Sequence, residues 1–159
     1  MMTTHRIFRG RAAAARSLAL ACLCLCLMAT AVHAKGKLNA VKHFDCAEGS
    51  IDVVTYSQDS EKVGLLGFSV GDTRVSFAGD ATHWPDLINL VIRAANNQAG
   101  GSLTEAAGSN KCTITLSPGK PLHMVLTDPQ RGRVEITMPA EAVDAFLQSL
   151  EEVQTFLEK

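Results

Sequence analysis

Apolar residues in this chain change period several times, and the changes divide it into elements. Residues 51 to 57 are rich in β-branched and aromatic side chains, which is the composition of a strand. Val63 to Val70 and Thr73 to Ala78 are two more, joined through Gly71-Asp72, a hairpin turn signal. From Trp84 onward the apolar residues Leu87, Ile88, Val91 and Ala94 recur three and four apart, the stripe of a helix with one buried face. Asp80 or Thr82 can open that helix. Pro85 is tolerated in its first turn, and Asp86 is favourable near its positive end.

The order then repeats. Cys112, Ile114 and Leu116 alternate with threonines, Leu122 to Thr127 follows a Ser-Pro-Gly-Lys turn, and Val134, Ile136 and Met138 alternate after the turn Asp128-Pro-Gln-Arg-Gly132. A second helical stripe, Val143, Phe146, Leu147, Leu150 and Val153, begins near Pro139 with Glu141 in its first turn. Shifting the chain by 59 residues lays Arg74-Val75-Ser76-Phe77 on Arg133-Val134-Glu135-Ile136, and lays the first helical stripe on the second. Identity between the copies is low, so the match is one of architecture. The pattern predicts an α+β domain of two βββα units, each an antiparallel meander of three strands followed by a helix that covers it. The units are expected over residues 50–99 and 111–159. Residues 35–49 read as a loose arm, and residues 100–110 as a Gly-rich connector.

The chain ahead of the arm has a different character. Arg6, Arg9, Arg11 and Arg16 precede an apolar run from Leu18 to Met28, and the small-residue stretch Ala31-Val-His-Ala34 follows, with the first acidic residue only at Asp45. These are the parts of a secretory signal peptide over residues 1–34, cleaved after Ala34. The run is shorter than the roughly 20 residues a membrane span needs. Cys22, Cys24 and Cys26 lack the flanks of a lipoprotein site. A mitochondrial presequence would be amphipathic, whereas the run is apolar all round. The expected location is the periplasm or the exterior, with no membrane span after cleavage.

Removal of the leader changes the charge. Four of the 15 basic residues go with it and all 16 acidic residues stay, leaving a mature net charge of about −5. A nucleic-acid or anionic-membrane binder leans the other way. Two cysteines remain, Cys46 and Cys112. In an oxidising compartment an isolated pair reads as a disulfide, whose long loop would contribute about 4 kcal/mol in the chain-entropy picture. No C-x-x-C spacing suggests redox chemistry.

Motifs that carry catalysis are missing from the mature segment. His43, His83 and His123 lack the i, i+4 spacing of a helical metal pair, no G-x-S-x-G elbow occurs, and no glycine run has the lysine and hydroxyl of a phosphate loop. No metal or cofactor is expected, and an enzyme is the less favoured class. The candidate contact residues are Arg131 and Arg133 at a hairpin tip, where arginine can grip a carboxylate or phosphate, and His83 with Trp84 at a helix start. For each the alternative is plain: a solvated turn for the arginines, the core stripe for Trp84.

These observations point to a small exported binding protein that acts by contact with another protein, in the manner of inhibitors, immunity proteins and envelope-assembly subunits. A homo-oligomer stays open. Strands then helix, used twice, is also similar to single-strand-binding proteins of the PC4 and whirly type, a resemblance of topology in which no motif matches residue by residue. It would imply nucleic acid bound on positively charged, aromatic-bearing sheets. A ligand carrier or enzyme with a pocket between helix and sheet is the third class.

Overall fold

The computed structural model describes residues 36–58, 60–107 and 110–159. The expected leader lies outside the described residues. Gly36 to Lys159 forms one compact unit.

Its first sheet is an antiparallel meander of β1 (Lys37–Asp45), β2 (Ser50–Gln58), β3 (Glu61–Val70) and β4 (Thr73–Gly79), in that spatial order. Helix α1 (Trp84–Ala95) follows. The second sheet repeats the arrangement with β5 (Gly101–Ala107), β6 (Asn110–Leu116), β7 (Leu122–Asp128) and β8 (Gly132–Met138). A short 3-10 turn (Ala140–Ala142) then leads into helix α2 (Val143–Glu158). The α+β class stands, with two four-stranded antiparallel sheets and two helices.

The expected three-stranded meanders are each one strand short. The loose arm holds β1, and the Gly-rich connector holds β5. Both lie at a sheet edge, as β4 and β8 do, but unlike those strands they bury few side chains. In β1 Phe44 alone is fully enclosed, and an extra residue between Ala40 and Lys42 shifts the register and breaks the alternation. In β5 Leu103 is the one large apolar side chain, packed partly buried against the core, and the strand is held across by Ser102–Thr115 and Thr104–Thr113 hydroxyl pairs at 2.8 and 2.9 Å.

Elsewhere the alternation is regular. Ile51 and Val53 on β2, Leu66 and Phe68 on β3, and Val75 and Phe77 on β4 point inward. Ile114, Leu116, Leu122, Met124, Leu126, Val134, Ile136 and Met138 do so in the second sheet. All belong to one hydrophobic core with the helical stripes. In the turn ahead of α1, Asp80 Oδ1 accepts the backbone N–H of Thr82 at 2.9 Å and of His83 at 3.1 Å; His83 is the N-cap, and no side chain caps the helix itself.

The helices are exchanged between the halves. Helix α1 runs beside β5 and β6, and α2 lies along β1, β2 and β3, so each helix covers the other half's sheet. The Phe44 and Phe146 rings meet edge-on at 5.5 Å where α2 crosses β1. Trp84, fully buried, donates its indole N–H to the Leu150 carbonyl at 2.9 Å and so joins the two helices. Gly64 allows the close approach: a Cβ there would stand 2.6 Å from Val153 and 2.7 Å from Trp84. A further tie comes from the β1–β2 turn, where Glu48 accepts the free N–H of Thr137 on the edge of β8 at 3.0 Å. That bond holds the Glu48 carboxyl below its ordinary range.

Candidate functional site

Because side chains alternate along a strand, the inward rows leave a second set facing away from the helices. In the first sheet this outer set is apolar over much of its area. Ala40, Val54, Leu65 and Ala78 form one row across all four strands, and Leu38, Tyr56 and Val63 form the next. Leu38 is 64% exposed, unusual for a large apolar side chain with neighbours on one side. The corresponding face of the second sheet is polar: Ser102, Thr104, Thr113, Thr115, His123, Thr127, Arg133, Glu135 and Thr137 surround Val125, the single apolar residue among the described side chains of that face.

An open groove of about 250 Å³ runs over the apolar face. Leu38, Val54 and Leu65 supply its apolar wall, Asp52 and Ser69 line it, and Arg74, Ser76 and Arg131 stand on the side of β4. Gly67 forms a dip in its floor, since a Cβ there would meet nothing nearer than Asp52 at 3.8 Å. Arg131 reaches the groove from the β7–β8 turn of the other half. Asp128 holds that turn, its Oδ1 accepting the backbone N–H of Gln130 at 2.7 Å and of Arg131 at 3.0 Å. Among the described residues, neither Arg74 nor Arg131 has an ion-pair partner.

Asp52 is engaged by His43, whose Nδ1 donates to it at 2.6 Å while Nε2 donates to Asp45 at 3.2 Å. Only the imidazolium can donate from both nitrogens, so the hydrogen bonds to Asp52 and then Asp45 raise the His43 pKa above its usual 6.5. The pairing therefore contributes stability in full below pH 6.5 and loses it as pH rises through the raised folded-state value. An NMR titration of the His43 ring is expected to show a midpoint above 6.5, falling back towards that value in Asp52→Asn; a wild-type midpoint at or below 6.5 would contradict the geometry.

The four contact residues expected from sequence do not form one surface. Arg131 lines the groove, whereas Arg133 is tied to Glu135 on the polar face of the second sheet. Trp84 is wholly buried and has no surface to offer a partner; it belongs to the core stripe. His83 is exposed at the mouth of α1. Its Nδ1 lies 2.9 Å from Asp80 and 3.3 Å from Glu105, and these two carboxylates raise its pKa. His123 sits 3.3 Å from Thr137 Oγ1, in the strand-face position its setting predicts.

Cys46, half-buried, and Cys112, buried, are both free thiols here. Cys46 lies in the turn that docks by Thr137, in the row of His123, while Cys112 stands past the Thr113–Thr127 pair, towards the other end of the sheet. Burial, followed by the Glu48 and Asp45 carboxylates, pushes the Cys46 thiol up to about 11. Burial, with Asp128 adding and Arg131 opposing, does the same to Cys112. Neither is a thiolate nucleophile at neutral pH.

Arg74, Leu38, Val54 and Leu65 were not singled out by sequence reasoning. The signal for them is the doublets Val53-Val54 and Leu65-Leu66, which put apolar side chains on both faces of neighbouring strands of an antiparallel sheet. No family model and no curated protein matches this chain.

Proposed function

We propose that this is a small exported, non-catalytic protein that acts by binding another protein through the outer face of its first sheet. The observation that carries this reading is the contrast between the two outer faces. The chain places hydroxyls and charges on one and seven apolar residues in two adjacent rows on the other. Contiguous apolar surface of that kind marks an interaction site. A pocket between helix and sheet is disfavoured, because Trp84, Phe68, Phe77 and Phe146 are all buried there in the core. The duplicated sheet-and-helix order keeps its likeness to single-strand binders, but stacking platforms are scarce: the other described aromatics are buried, leaving Tyr56 on the sheet face and Phe156 on α2.

The test is affinity capture from envelope and secreted extracts with the wild-type protein, Leu65→Glu and Thr113→Glu in parallel. A partner held by wild type and Thr113→Glu but released by Leu65→Glu supports the reading, provided all three melt alike. Equal capture by Leu65→Glu, or no selective capture at all, refutes it.

A further inference from the structure

The internal repeat contains its own control for the groove. Arg74 on β4 and Arg133 on β8 occupy equivalent places 59 residues apart, both facing outward from the last strand of their sheets. In the second half Arg133 pairs with Glu135, two residues along the same face. The position equivalent to Glu135 in the first half is Ser76. Arg74 therefore lacks the carboxylate that its counterpart has, and Ser76 opens into the groove in its place. A second arginine, Arg131, is brought to the same groove by a turn that Asp128 holds in shape.

From this we infer that the groove takes an acidic side chain of a partner polypeptide, with Arg74 and Arg131 gripping its carboxylate where Glu135 stands in the other half. Apolar residues flanking that acid pack on Leu38, Val54 and Leu65. The inference rests on the proposed protein-binding role and specifies what is recognised. Paired guanidiniums suit a carboxylate, since each offers a planar fork of donors. Asp52 also lines the groove, but its carboxylate is engaged by His43, which offsets its repulsion of an incoming acid. The volume, about 250 Å³, lies below the roughly 300–1,000 Å³ of pockets that enclose small ligands. The groove is open and continues into the apolar rows of Tyr56, Val63 and Ala78, a shape that fits a side chain projecting from a broader surface.

The test uses a fluorescent peptide, acetyl-Val-Leu-Glu-Leu-Val-amide, its Gln counterpart, and decanoate as a free amphiphilic acid. Wild-type protein is expected to bind the Glu peptide at least about tenfold more tightly than the Gln peptide. Arg131→Ala should remove that preference. Ser76→Glu should remove it too, by supplying Arg74 with the internal partner that Arg133 already has, and this surface change should leave the melting temperature unaltered. Equal binding of the two peptides, no binding of either, or a preference that survives Ser76→Glu overturns the acid-recognition inference. So does decanoate binding, sensitive to Ser76→Glu, without peptide binding. The protein-binding role has a separate readout, since capture sensitive to Leu65→Glu and indifferent to Ser76→Glu would uphold that role while sinking the acid subsite.

Discussion

Trp84→Ala is expected to cost about 3–5 kcal/mol of stability, measured as the loss of unfolding free energy in urea. Trp84 has no exposed surface, packs against Gly64 and Gly79 of the first sheet, and donates to the Leu150 carbonyl of α2. Truncation would leave a cavity where two helices and a sheet converge, and the exchanged arrangement gives no single element freedom to collapse into it. A domain of this size has about 5–15 kcal/mol in hand, so the change takes a large share and should lower the melting temperature by roughly 10–20 °C. Trp84→Phe keeps most of the ring and loses the indole donor; it should cost about 1–2 kcal/mol. A loss below 1 kcal/mol for the alanine variant would mean that Trp84 does not join the halves.

Neither half is expected to fold alone. Residues 36–98 contain the first sheet and α1 but not α2, the helix that covers that sheet; residues 99–159 contain the second sheet without α1. Each fragment would expose the inward row of its own sheet and the apolar stripe of its own helix, and the core is shared between them. Circular dichroism and hydrogen exchange should find each fragment largely unfolded, with structure regained on mixing equal amounts. A fragment that unfolds cooperatively on its own would show that its helix can cover its own sheet. Removing α2 from the chain makes the same point in one step: protection should vanish first from β1, β2 and β3, although the deletion lies at the other end of the sequence.

Much of this architecture was legible in the sequence, for physical reasons. Strands β2, β3, β4, β6, β7 and β8 and both helices bury alternate or helically spaced residues, so hydrophobic period reveals them. The 59-residue offset holds to the residue at the helix starts, Trp84 and Val143. β1 and β5 escaped because period reports burial and these two edges bury little, whereas the opposite edges, β4 and β8, alternate regularly. Helix exchange was not legible, because an apolar stripe tells that a helix is covered and not which sheet covers it. The groove was half legible. Arg131 stood out as a turn arginine, whereas the value of Arg74 depends on Ser76 replacing the carboxylate found at Glu135. Trp84 shows the converse. Its residue type invites a contact role, and its place in the stripe, matched to Val143, is what decides its burial.

The covering of the first sheet by the last helix also orders events in time. The 16 residues of α2 are made after β1, β2 and β3, so those strands wait uncovered until that helix follows. Domains in general fold as units once their parts are present. Here the missing part is α2, and the inward-facing rows of the first sheet cannot close into a finished core before that helix arrives. A first sheet built this way stays open while the second half is being made, and it closes only when α2 has followed.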